Sequence, residues 1–193
     1  MEKYRCFIAI DFDPKVCQQI IQMQALFSQE SIHSIRWITA DNLHLTLKFL
    51  GDTDQNNIPI IIEKMNQTSS IFPPFEIKLN KTSVFPNWKN PRILWLGIEQ
   101  SEKLQSLAEK IEKEMEILGF AAERRPFSPH LTIGRLIGRP GSQQIELLEK
   151  KFNQINIQFP LNQVSKINLY RSMLKPTGAV YTLLSSSYLK IKE

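Results

Sequence analysis

The sequence predicts an α+β fold with mainly antiparallel sheet, and three observations carry that prediction. Short runs of alternating apolar and polar residues, bounded by Gly, Pro, Asn and Asp, read as strands. Helical periodicities are interleaved with them, yet several neighbouring strands are joined by turns too short for a parallel crossover. One strand-like motif, opening on His44, recurs at His130. A chain of 193 residues with 42% hydrophobic and 22% charged content can bury a real core and is not a disordered segment. No low-complexity stretch or long flexible linker divides it.

The elements follow in order. Residues 4–12, rich in aromatic and branched side chains, read as a strand, and Asp13-Pro14 opens a helix on which Val16, Ile20, Ile21 (or Met23) and Phe27 recur. Ile35 to Ile38 is a short strand, and Thr39 to Asn42 a turn. Leu43 to Leu50 alternates as a strand closed by Gly51-Asp52, followed by a helix from Asn57 to Asn66. Phe75 to Leu79 alternates, Val84-Phe85 runs into a turn at Pro86-Asn87, and Ile93 to Ile98 is a strand. Ser101 caps an amphipathic helix, Glu102 to Leu118, whose Leu104, Leu107, Ile111, Met115 and Leu118 share a face that reads as core packing. His130 to Leu136 is a strand, and Pro140-Gly141-Ser142 leads into a helix to about Phe152. Strands at Gln163–Leu174 and Ala179–Leu189 close the chain around a turn at Lys175–Gly178.

Composition narrows the function classes. The net charge of +5 is a mild lean towards polyanionic ligands. Cys6 and Cys17 form no C-x-x-C pair and no Cys/His ligand cluster, so they read as free thiols in a reducing compartment. The apolar run at residues 6–10 is short for a signal peptide, and no stretch has the ~18 apolar residues of a membrane span. A cytoplasmic protein is expected.

The repeat carries the chemistry. His44-Leu45-Thr46-Leu47-Lys48-Phe49-Leu50-Gly51 lines up with His130-Leu131-Thr132-Ile133-Gly134-Arg135-Leu136-Ile137-Gly138. Residues i and i+2 of a strand point to one face, so each motif shows an imidazole beside a hydroxyl and turns its apolar residues to the core. If the two strands are related by a pseudo-two-fold, both imidazoles meet in one cleft. Histidine titrates near neutrality, so one ring can accept a proton while the other donates one. That pair suits phosphodiester cleavage, with the threonine hydroxyls on the non-bridging oxygens and no metal required.

At these residues the chain resembles the two-histidine (2H) phosphoesterase superfamily. More narrowly it resembles the bacterial and archaeal RNA 2′,3′-cyclic phosphodiesterases, the LigT-like or 2′-5′ RNA ligase proteins. Residues 5–10, Trp37, residues 42–51, residues 125–135 and the closing 169–181 stretch carry the likeness, which spans nearly the whole chain. The resemblance implies one domain over residues 1–193, made of two similar α+β lobes around a central groove. Each lobe is an antiparallel sheet with helices outside, related by a pseudo-two-fold, with motifs at 44–47 and 130–133. It implies that His44 is the proton donor to the leaving ribose oxygen and His130 the base that activates water. Thr46 and Thr132 would bind phosphate, with Arg135 as a further substrate contact. Five residues past His130, Arg135 needs strand twist or a local bulge to share that histidine's face. The implied reaction opens an RNA 2′,3′-cyclic phosphate to a 2′-phosphomonoester, with weak reversible 2′-5′ ligation. Neither cofactor nor metal is implied. The partner is an RNA or nucleotide bearing the cyclic phosphate, and the chain is expected to be a monomer without a membrane or an obligate protein partner.

Other residues divide between readings. Arg124, Arg125 and Arg139 suit an RNA-contacting rim or a solvated surface. Phe49 and Phe127 could stack on a base, but Phe49 reads as packing, and Trp88 is the better stacking candidate. Tyr181 is a groove candidate that strand alternation alone does not place, and His33 reads as a surface residue. The segment 82–90 reads as a groove-side loop. Two rival functions remain open: a phosphodiesterase of small cyclic nucleotides or 2′-5′ oligonucleotides, and a non-catalytic RNA- or nucleotide-binding module.

Overall fold

A strand–helix–strand unit occurs twice and organises the chain. In the first half, β1 (Lys3–Asp11) leads through α1 (Pro14–Ser28) and β2 (Ile35–Trp37) to β3 (His44–Asp54), followed by α2 (Ile58–Ser69). In the second, β4 (Phe75–Ile77) and β5 (Leu79–Phe85) precede β6 (Ile93–Ile98). From β6 the chain passes through α3 (Glu102–Ile117) to β7 (His130–Leu136), then α4 (Ser142–Gln154). β8 (Asn162–Val164), β9 (Lys166–Lys175) and β10 (Gly178–Tyr188) complete the chain. The computed structural model describes residues 2–28, 35–155, 157–176 and 178–190. His33 and Thr177 of the last hairpin turn lie outside them.

The main sheet runs β10-β9-β1-β3-β7-β6-β5, with β2 paired to β7, and every pairing is antiparallel. β1 lies between β9 and β3, and β6 lies in the same way between β5 and β7. The halves are thus related by an approximate two-fold that passes beside Leu45 and Leu131, the register pair that joins β3 to β7. The α+β, antiparallel, two-lobed architecture expected from the sequence is present, with the sheets of the two lobes meeting edge to edge.

The helices cover the core face, and α1 and α3 each reach into the opposite half. The apolar stripe of α1 is Val16, Ile20, Met23 and Phe27, all buried, whereas Ile21 is exposed. Gln24 of α1 donates to the carbonyls of Ile38 and of Ile133 in β7, at 3.0 Å each. Phe27 packs on Trp37 and on Phe152 of α4. In return, Glu112 of α3 pairs with Lys48 of β3, and Glu114 pairs with Lys64 of α2. Ser101 caps α3 by accepting from the Leu104 amide. No helix among the described residues is long and apolar enough to cross a membrane.

Some boundaries differ from those read in the sequence. Gly51 does not close β3. It sits inside the strand at φ 68°, where β1 pairs Cys6 with Gly51 and Phe7 with Phe49, leaving Leu50 as a bulge. The alternating run 75–79 divides at Lys78, and the run 163–174 divides at Ser165. The detached pieces, β4 and β8, pair with each other in a separate two-stranded sheet. Asn162 holds that sheet beside β1: its Oδ1 accepts from the Asp13 amide at 2.6 Å.

Candidate active site

β3 and β7 begin at the two motif histidines. Leu45, Leu47, Leu131 and Ile133 are buried in the core, while His44, Thr46, His130 and Thr132 are half-buried on the sheet's other, open face. Extending the antiparallel register one residue to either side of Leu45 and Leu131 sets His44 opposite Thr132 and His130 opposite Thr46. Each imidazole therefore has the other motif's hydroxyl beside it. The histidines are diagonal neighbours, positions whose α-carbons in antiparallel sheet stand about 7–8 Å apart, a spacing that can admit a phosphate between the rings. Neither threonine hydroxyl is engaged by another described residue, so both are available as donors.

The ring orientations are matched. His44 Nδ1 lies 2.8 Å from the carbonyl of Asn42, and His130 Nδ1 lies 2.8 Å from the carbonyl of Ser128. A carbonyl only accepts, so Nδ1 carries the proton in both rings and Nε2 is left as the reactive nitrogen. Neutral, Nε2 accepts a proton; in the cation it donates one. The turn before His44 is itself fastened to the last hairpin, since Asn42 Nδ2 donates to the Ala179 carbonyl at 3.1 Å.

Matching bulges lie three residues past each histidine. β1 pairs Ile8 with Lys48 and Ala9 with Thr46, skipping Leu47. β6 pairs Leu94 with Gly134 and Trp95 with Thr132, skipping Ile133. Each bulge shifts the side-chain alternation by one, so the fifth residue after the histidine joins its face. Arg135 is brought there, beside Ile93 of β6, and Phe49 occupies the equivalent place in the first half. Phe49 is 63% exposed, which overturns the packing role read from the sequence. Gly134 faces the core, where a β-carbon would lie 3.0 Å from both Ile35 and Trp37, so the bulge needs glycine there for Trp37 to pack.

Aromatic rings wall both histidines. His44 lies against Phe7 of β1 and edge-on to Tyr181 of β10, with ring centroids 4.8 and 5.1 Å away. His130 lies edge-on to Phe85 of β5 at 5.0 Å and to Trp95 of β6 at 6.0 Å. Tyr181 is thus a groove residue, and the segment 82–90 contributes Phe85 from the end of a strand. Trp88, the stacking candidate, instead packs edge-on against Phe152 of α4. Phe127 is half-buried against the core, and Arg124, Arg125 and Arg139 are exposed around the second motif.

Asp11 is the register partner of His44 across β1 and β3. Its carboxylate accepts from the Tyr170 hydroxyl at 2.9 Å and from Asn168 Nδ2 at 2.7 Å. Burial pushes the His44 ring below its usual 6.5; the Asn42 carbonyl and Asp11 push it back up, and Arg135 pushes it down. Burial, and then Asp11, raise the Tyr170 phenol far above its usual value. Burial raises Tyr181 as well, against the pull of Arg135 and Arg5. Asp11, Phe7, Tyr170, Phe85 and Trp95 were missed in the sequence, because they reach the histidines only through pairing between distant strands. Two hollows in the fold, one lined by Thr82, Phe152 and Phe159 and the other by Ser101, Leu104, Phe127 and Pro129, include neither histidine in their lining. Among the described residues no group of three or more His, Cys, Asp or Glu is placed to hold a metal ion.

Fold and site together define a duplicated α+β protein in which each half presents one histidine strand to a shared open face. The family model of the LigT-like phosphoesterases matches the chain twice, over residues 10–95 and 96–181, with one motif strand in each match. An RNA 2′,3′-cyclic phosphodiesterase of Methanothermobacter thermautotrophicus is 32% identical over 180 residues, 93% of this chain and 96% of that protein. Among solved structures, a Thermus thermophilus protein superposes with a TM-score of 0.81 at 26% identity, covering 96% of this chain and 97% of its own. Escherichia coli LigT in complex with 3′-AMP gives a TM-score of 0.76 at 26% identity, covering 98% of this chain and all of that one. The chain belongs to the LigT-like phosphoesterase family.

Proposed function

We propose that this protein hydrolyses the 2′,3′-cyclic phosphate at the end of an RNA strand to a 2′-phosphomonoester, using His44 and His130 as an acid/base pair without a metal. One observation carries the reading: two imidazoles, both held in the Nδ1–H form, flank a phosphate-sized space that two free threonine hydroxyls also face. The named relative and the family support cyclic phosphodiester chemistry.

In the reaction a water oxygen attacks phosphorus in line with the ribose 3′-oxygen. His130 Nε2 takes the water proton, the P–O3′ bond breaks, and His44 Nε2–H supplies the proton that makes the 3′-hydroxyl. Thr46 and Thr132 donate to the non-bridging oxygens, and Arg135 offsets the charge gathering there. A 5′-hydroxyl in place of water would form a 2′-5′ linkage, the weak and reversible ligation this reading includes.

The test is turnover, in EDTA, of a short RNA ending in a 2′,3′-cyclic phosphate by wild type, His44→Ala and His130→Ala. Wild type is expected to give the 2′-phosphate, and each variant to be slower by ~100-fold or more. Replacing the 3′-oxygen by sulfur makes a leaving group that needs no proton, so it should restore His44→Ala and leave His130→Ala slow. Rescue of the other variant reverses the two roles, and variants as active as wild type overturn the mechanism.

A further inference from the structure

Arg36 is absorbed by neither the motif strands nor the mechanism, yet the sheet carries it to the same face. In the antiparallel pairing of β2 with β7, Ile35 lies opposite Leu136, Arg36 opposite Arg135, and Trp37 opposite Gly134. Trp37 packs over Gly134 on the core side, with its ring against Phe27 of α1. The residue between Ile35 and Trp37 must then face the other way, so Arg36 stands beside Arg135 on the histidine face. Both are exposed.

Cross-strand partners have β-carbons about 5 Å apart, and like charges placed there repel. Among the described residues no carboxylate forms an ion pair with either guanidinium. Two adjacent cations without a protein counter-ion form a site for an anion, and planar guanidinium groups suit phosphate oxygens. The pair is also graded in depth. Arg135 shares the strand of His130 and its charge acts on His44, whereas Arg36 stands on β2, a short strand off the main path of the sheet and paired with β7 alone. Phosphates strung along a single strand would meet the histidines first, then Arg135, then Arg36.

We propose that Arg36 holds a second phosphate, the phosphodiester on the 5′ side of the terminal nucleotide, so that the site is built for an oligonucleotide end and not for a lone cyclic nucleotide. This rests on the reading under Proposed function.

The experiment compares kcat/KM for a nucleoside 2′,3′-cyclic phosphate with that for a dinucleotide carrying the same cyclic end, in wild type, Arg36→Gln and Arg36→Lys. Wild type is expected to prefer the dinucleotide. In Arg36→Gln that preference falls ~10-fold, as loss of one charge-assisted contact implies, and Arg36→Lys restores part of it. The salt dependence with the dinucleotide becomes shallower by about one ion in Arg36→Gln. Affinity for the product dinucleotide ending in a 2′-phosphate, set against the nucleoside 2′-phosphate, reads the same subsite without turnover. A wild type that prefers neither substrate, or an Arg36→Gln that changes both in proportion, overturns the subsite. A wild type that turns over neither substrate, yet whose dinucleotide product binding depends on Arg36, overturns the hydrolase reading and leaves the subsite standing.

Discussion

His44 is held between opposing influences. Burial and Arg135 favour its neutral ring, while the Asn42 carbonyl and Asp11 favour the cation. In the proposed mechanism His44 is the proton donor and has to be cationic before the step, so the alkaline limb of kcat/KM should lie below pH 6.5, the ordinary histidine value. Bound substrate adds a negative charge, so the limb in kcat should lie higher than in kcat/KM. Asp11→Asn removes a charge that raises His44, and is expected to move the limb to still lower pH. A profile that stays in place or shifts upward would falsify that role for Asp11. Linkage follows the same sign. A folded pKa below the unfolded one means that the folded state binds fewer protons, so the contribution of His44 to stability is full above 6.5 and is lost as pH falls from there through the lowered folded value. At this scale the histidines and threonines were legible, because their tripeptide is written twice in the chain. Asp11 and Phe7 were not. They belong to β1, whose residues 6–10 are all buried, so the strand reads as a continuous apolar run and hides which alternate residues face the histidines.

The bulges at Leu47 and Ile133 show what strand periodicity leaves out. A strict period of two would set Lys48 on the face of His44 and Thr46, but the skipped residue turns it to the core face. There it is 4% exposed, donating to Glu112 of α3 and to the Ala121 carbonyl. Removing one member of a buried ion pair strands the other, whereas replacing both with apolar groups is often tolerated. Lys48→Met is therefore expected to cost ~3 kcal/mol in urea unfolding, and Lys48→Met with Glu112→Leu clearly less. Equal losses in the two variants would show that the pair is not coupled. The helices themselves were legible nearly to their ends, since capping and 3.6-residue periodicity are local. The splitting off of β4 and β8 was not, because those pieces pair with each other across a long stretch of chain.

Across the whole molecule the exchanged helices couple the halves. Only Leu45 and Leu131 join β3 to β7 in register, but α1 bonds to β7 and α3 to β3. Trp88 and Trp95 lie in the second half, and Trp37 of β2 packs where α1 meets β7, so tryptophan fluorescence reports the second half and its seam with the first while far-UV circular dichroism reports the whole chain. The two signals are expected to give one coincident unfolding transition. A fluorescence midpoint separate from the dichroism midpoint would show that the halves unfold independently. The pseudo-two-fold was legible from the repeated motif. The exchange of helices was not, since it depends on where each connection crosses the sheet and leaves no periodic trace.

Phe49 and Arg135 stand at equivalent places, five residues past their histidines, and they differ as much as two side chains can. One is an uncharged ring and the other a fixed cation. A ligand turned end for end would set its sugar-phosphate chain against the ring and its base against the guanidinium. The histidines are symmetric, but their surroundings are not, so under the proposed reading an RNA end would enter the site with one polarity.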